Sequence, residues 1–113
     1  CILLDRFAAA LLHPGPVVED IYNETMKQFD SRFAAGFMNG GKFLGHSIGL
    51  TMDESPAVAN RFKEVLTEGM TFALEPKIAL SGIGMVGSEN TYLVTANGGK
   101  ALTGSPHKLY CIY

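Results

Sequence analysis

Glu75 and Glu89 stand symmetrically about Gly82, within a stretch from Met70 to Thr95 that reads as two alternating strands joined by a turn. Paired residues of an antiparallel hairpin share a constant index sum, so the two glutamates are expected to face each other with Cβ atoms about 4.5–5.5 Å apart. Like charges so placed repel, and something must compensate them. The face they share is otherwise small or neutral, with Ala73, Gly87 and Thr91, so Lys77 is the one internal counter-charge nearby and a divalent cation is the better candidate. Oxygen-rich ligation suits Mn or Mg, and an imidazole widens the range to Co, Fe or Zn. His46, set between glycines in "GHSIGL", could supply that imidazole. A histidine beside glycines is also common as a structural or surface group, and two facing glutamates can be solvated edge carboxylates. On the residues alone both readings stay open. Asp53 and Glu54 by themselves read as a polar turn before Pro56, and Lys42 and His13 carry no chemical signal of their own.

The elements that must position these side chains follow from periodicity. Leu4, Phe7, Ala8 and Leu11 recur at helical spacing, and "HPGP" (His13 to Pro16) then stops the helix. Val18, Tyr22, Met26 and Phe29 mark a second helix, with Glu19 and Asp20 in its first turn, where the helix dipole favours acids. From Phe33 to Gly45 the chain is rich in glycine and reads as a loop leading into a strand that carries His46. Met70 to Leu80 alternates strictly, with Phe72, Leu74, Pro76, Ile78 and Leu80 on a core face, and is predicted as one strand. "SGIG" (Ser81 to Gly84) makes the turn, and "MVGSENTYLVT" makes the return strand. The short amphipathic segment "ANRFKEVL" is expected to cover apolar surface.

Composition bounds what the molecule can be. At 113 residues it suits one domain with a real core. Nine Lys plus Arg against eleven Asp plus Glu give a net charge of −2, without the basic footprint of a nucleic-acid binder. The two cysteines, Cys1 and Cys111, have neither zinc-ribbon nor CxxC spacing, which points to a reducing compartment. No apolar run approaches the roughly 20 residues that span a bilayer, and Asp5 and Arg6 interrupt the place of a signal peptide. A cytoplasmic protein without membrane or nucleic-acid partners is expected. The chain also begins at Cys1 in mid-pattern without an initiator methionine, as a piece of a longer protein would.

The ordered set "GHSIGL", "GMTFALEP", "GSENTYLVT" and "GGKALT", preceded by "LLHPGPVVEDIYNETM", resembles the C-terminal half of the pita-bread metallopeptidases: aminopeptidase P, Xaa-Pro dipeptidase, methionine aminopeptidase and creatinase. The resemblance covers nearly the whole chain and is strongest to Xaa-Pro dipeptidase. It implies an α+β fold, half of a pita-bread domain over residues 1–113, with two N-terminal helices on a curved, mainly antiparallel sheet. It also implies a parent enzyme that removes N-terminal residues or cleaves Xaa-Pro dipeptides, with a peptide substrate and two divalent ions (Mn, Co, Zn or Fe). By motif, His46, Glu75 and Glu89 correspond to the ligand histidine, the glutamate of "EP" and the bridging glutamate, and Glu75 takes the acid/base role as well.

Three positions depart from the family pattern. Asp53 precedes Glu54 where many members have a histidine that contacts substrate, Asn90 follows Glu89 where aspartate is common, and Lys42 replaces a histidine of proline-specific members. An aspartate accepts hydrogen bonds at neutral pH, so the catalytic part expected of Asp53 is to receive one from a substrate amine or a water. The family's two aspartate ligands lie upstream of the helix-PG-helix segment, and Asp5, Asp20 and Asp30 all fall in or beside helices. The expectation is therefore half of a catalytic domain, inactive alone and self-associating into a homo-oligomer through the surface the other half would cover. The alternative is a non-catalytic pita-bread module that binds peptides or proteins.

Overall fold

The computed structural model describes residues 1–104 and 109–113. Helix α1 (Ile2–Ala10) and helix α2 (Val18–Met26) pack on each other and on a five-stranded sheet. The strands are β1 (Phe43–Ser47), β2 (Glu54–Ala59), β3 (Thr71–Leu74), β4 (Lys77–Leu80), β5 (Gly84–Gly87), β6 (Asn90–Thr95) and β7 (Gly98–Ala101). The large sheet has the order β2-β1-β3-β6-β7, all its pairs are antiparallel, and β4 and β5 form a separate two-stranded sheet. The expected α+β architecture, two N-terminal helices on a mainly antiparallel sheet, is the one observed. No helix among the described residues is long and apolar enough to cross a membrane.

Both helices are where periodicity puts them, but α1 is rotated. Its buried side is Leu4, Asp5, Ala8 and Ala9, continued by Leu12, while Phe7 and Leu11 are only half-buried. A carboxylate therefore lies on the core face. Helix α2 buries Val18, Ile21, Tyr22 and Thr25, and has no side-chain cap. Its first amides are satisfied instead by the next segment, with Val18 N donating to Glu64 O at 2.9 Å and Glu19 N to Phe62 O at 3.0 Å. In this segment, the "ANRFKEVL" stretch, Ala59 ends β2, Asn60 and Arg61 form a turn, and Val65 bridges to Val17. The stretch covers apolar surface by burying Leu66 and half-burying Phe62.

The predicted single strand from Met70 to Leu80 is in fact two, separated at Glu75 and Pro76. Proline has no amide hydrogen and cannot continue a ladder, so the hairpin splits between two sheets there. Register survives the break: Thr71 pairs with Leu93 and Leu74 with Asn90 on one side, Lys77 with Gly87 on the other, all symmetric about Gly82. Two strands were not foreseen. Asp53 and Glu54 are not merely a turn, because β2 starts at Glu54 and runs through Pro56, and "GGKA" pairs as β7 beside β6. Phe72, Leu74, Leu44, Val58 and Val94 form the centre of the core against Leu12, Val18 and Ile21 of the helical layer.

Candidate metal centre

His46 lies on β1 opposite Ala73 of β3. The neighbouring Gly45 makes that pairing possible, because a Cβ there would sit 1.9 Å from the Ala73 carbonyl oxygen. The imidazole is 13% exposed. Its Nδ1 is 2.9 Å from the Ser47 carbonyl oxygen, which can only accept, so this hydrogen bond requires the proton on Nδ1. In the neutral ring the lone pair is then on Nε2, which lies 3.9 Å from Glu75 Oε1. A backbone carbonyl fixing one ring nitrogen while the other stays free is how ligating histidines are commonly oriented.

Glu75, 15% exposed, sits at the break between the sheets, and its amide donates to the Leu44 carbonyl on β1 at 2.8 Å. Lys77 Nζ is 2.8 Å from Glu75 Oε2 and 3.5 Å from Glu89 Oε2. One ammonium thus bridges both glutamates, and these carboxylates, Glu75 above all, hold the Lys77 pKa above its ordinary value. Glu89 is 55% exposed and opens to solvent beside Met85, Gly87 and Ser88. Asp53 lies at the rim, 80% exposed, with Oδ1 3.8 Å from His46 Nδ1. Its neighbour Glu54 organises the loop between β1 and β2 by accepting from Thr51 N at 2.8 Å and from Thr51 Oγ1 at 3.1 Å. These bonds draw its pKa below the ordinary carboxylate value.

The structure thus brings His46 beside Glu75, joins Glu75 to Glu89 through Lys77, and leaves Asp53 at the edge. Ligands of one divalent ion at about 2.0–2.2 Å from it lie roughly 3–3.5 Å apart, slightly closer than His46 and Glu75 stand. Among the described residues, no group of three histidine, cysteine, aspartate or glutamate side chains is gathered tightly enough to hold an ion as placed. The donor set nonetheless suits a hard or borderline cation. The Lys77 ammonium already marks a position from which one positive charge reaches both carboxylates. Sequence reasoning missed Asp5, whose signal was a carboxylate on the same helical stripe as Ala8, Ala9 and Leu12.

An Xaa-Pro dipeptidase of Pyrococcus horikoshii is 44% identical over 66 residues, which are 58% of this chain and 19% of that protein. The X-Pro aminopeptidase of Thermotoga maritima superposes with a TM-score of 0.77 at 26% identity, covering 98% of this chain and 32% of that one. The prolidase of Pyrococcus horikoshii superposes at 0.74 with 31% identity, covering 96% and 31%. This chain therefore spans about a fifth of the curated relative and about a third of the solved structures it matches. The architecture is half of the pita-bread fold. With a family match running over residues 3–96, from α1 through β6, the chain belongs to metallopeptidase family M24.

Proposed function

We propose that this chain is the C-terminal portion of the catalytic domain of a cytoplasmic, metal-dependent exopeptidase that cleaves Xaa-Pro dipeptides or removes N-terminal residues. His46, Glu75 and Glu89 would hold divalent metal, Mn, Co, Zn or Fe, with two ions per site completed by ligands outside this chain. The observation that carries the reading is that, in a member of this family, one cation already reaches both Glu75 and Glu89 while His46 Nε2 lies 3.9 Å from Glu75 Oε1. Bound divalent ions supply Lewis acidity, lowering the pKa of water and polarising a scissile carbonyl. Glu75, mostly shielded from solvent, takes the proton of the attacking water and returns it to the leaving amine. His46 keeps its Nδ1 proton on Ser47, which holds Nε2 in its ligating tautomer. Asp53, at the rim, accepts a hydrogen bond from the amine of an incoming peptide.

The full-length protein that carries this chain, loaded with Mn, is expected to hydrolyse Xaa-Pro dipeptides. Glu75→Gln should lower kcat by about a hundredfold or more. The 113-residue chain alone, given Mn, Co or Zn, is expected to hydrolyse neither Xaa-Pro dipeptides nor other N-terminal peptide bonds. Turnover by the isolated chain, lost on Glu89→Gln, would show that an aspartate assigned to a helix reaches the metal. A non-catalytic peptide-binding module is the second reading, and Lys77 favours it by supplying a cation the protein already owns. Titration of the full-length protein with Mn separates the two, since a module of that kind binds none at this site.

A further inference from the structure

Asp5 is fully buried, at 0% exposure, although it lies on a helix of the outer layer. Its Oδ2 accepts from Ser88 Oγ at 2.7 Å and from Asn90 Nδ2 at 3.0 Å, and its Oδ1 accepts from Tyr92 Oη at 2.9 Å. A buried carboxylate persists only where several donors face it, and here the donors are alternate residues of one strand segment. Successive side chains of a strand point to opposite faces. With Ser88, Asn90 and Tyr92 turned toward Asp5, Glu89 and Thr91 are turned away.

This grip falls at the break between the two sheets, where Ser88 N also donates to the Pro76 carbonyl oxygen at 3.2 Å. β5 ends at Gly87 and β6 starts at Asn90, so Ser88 and Glu89 lie in the gap between two ladders. Asn90 is enclosed on its other side too, since a Cβ on Gly104 would lie 1.9 Å from Asn90 Oδ1. The residues on both sides of Glu89 are thus tied to one carboxylate on α1, 83 and 85 positions away in sequence.

We propose that Asp5 is a positioning residue for Glu89: it clamps Ser88 and Asn90 and so sets where the Glu89 carboxylate stands. The inference rests on Glu89 being a metal ligand as proposed above, and deepens that reading by naming what holds the ligand in place.

The test uses the full-length protein that carries this chain, with Asp5→Asn, Ser88→Ala, Tyr92→Phe and Glu89→Gln variants. Two readouts are taken: Mn affinity by calorimetric titration, and amide hydrogen exchange of the metal-free protein by mass spectrometry. Asp5→Asn and Ser88→Ala should each weaken Mn binding about tenfold, as loss of an outer-shell partner does, and speed exchange locally over residues 87–91. Tyr92→Phe breaks the contact farthest from Glu89, so it should lower Tm while leaving Mn affinity within about twofold. Mn affinity falling in step with Tm across all three variants would make Asp5 a purely structural residue and overturn the proposal. So would unchanged exchange over residues 87–91 in both Asp5→Asn and Ser88→Ala. If Glu89→Gln leaves Mn binding intact, the ligand reading itself has failed. The exchange data then decide alone whether Asp5 clamps the segment. Should Asp5→Asn fail to fold, Ser88→Ala carries both readouts.

Discussion

Lys77 holds two carboxylates that would otherwise repel, and a divalent ion entering between them must displace it. Replacing it with methionine keeps most of the stem and removes the charge. A partly exposed pair of this kind contributes on the order of 1 kcal/mol. Lys77→Met is therefore expected to tighten Mn binding about fivefold and to lower the stability of the metal-free protein by about 1 kcal/mol, with the loss recovered on adding Mn. Calorimetric titration together with denaturant unfolding, with and without metal, measures both; an unchanged Mn affinity would mean that Lys77 does not compete for the site. The hairpin register that sets Glu75 and Glu89 symmetrically about Gly82 was legible in the sequence, because it needs only the position of the turn, whereas the charge between them is Lys77 and not the divalent cation the sequence favoured. Asp5 was not legible in the same way. A nine-residue helix gives too few turns to settle its buried stripe from Leu4, Phe7, Ala8 and Leu11, and the true stripe runs through Asp5, Ala8, Ala9 and Leu12.

The elements meet at close approaches that only glycine allows. A Cβ at Gly45 would press on the Ala73 carbonyl, a backbone atom that can retreat only if β1 and β3 part. Gly45→Ala is expected to cost about 2–3 kcal/mol, and to weaken Mn binding by moving His46 off Glu75. Gly82, in the hairpin turn at φ 74°, has open space around it, so Gly82→Ala carries only the strain of a left-handed backbone, about 1 kcal/mol. Unfolding midpoints of the two variants check the ranking, which would be wrong if Gly82→Ala proved the more damaging. At this scale the helices, the turn and the hairpin register were readable because they depend on local pattern. The split at Pro76 was also written in the sequence, but strict alternation on both sides concealed it. β7 could not be read locally: "GGKA" has little strand propensity of its own and is a strand because β6 offers it an open edge.

At the scale of the molecule, a groove of about 550 Å³ lies between the start of α1 and the β4–β5 sheet, lined by residues such as Leu3, Phe33, Ile78 and Val86. Leu3, Phe33 and Val86 stand exposed along it. Apolar patches beyond a few hundred Å² on soluble proteins usually find a partner. The 113-residue chain alone is therefore expected to self-associate or to dissolve poorly, and a clean monomer in sedimentation at high concentration would count against this. The expectation of an uncovered apolar surface came from family resemblance, since neither charge nor hydropathy announces it. The Asp5 contacts also bear on how the chain acquires its shape. α1 leaves the ribosome carrying a carboxylate whose partner Tyr92 is 87 residues further on. At about 5–20 residues per second, those partners arrive roughly 4–17 s later. Until then the first helix has a charge where its core face should be, so it cannot dock for good before β6 has been made. The amino-terminal helix of this sequence is thus among the last parts to settle, and the synthesis of residues 88–92 sets the time at which it does so.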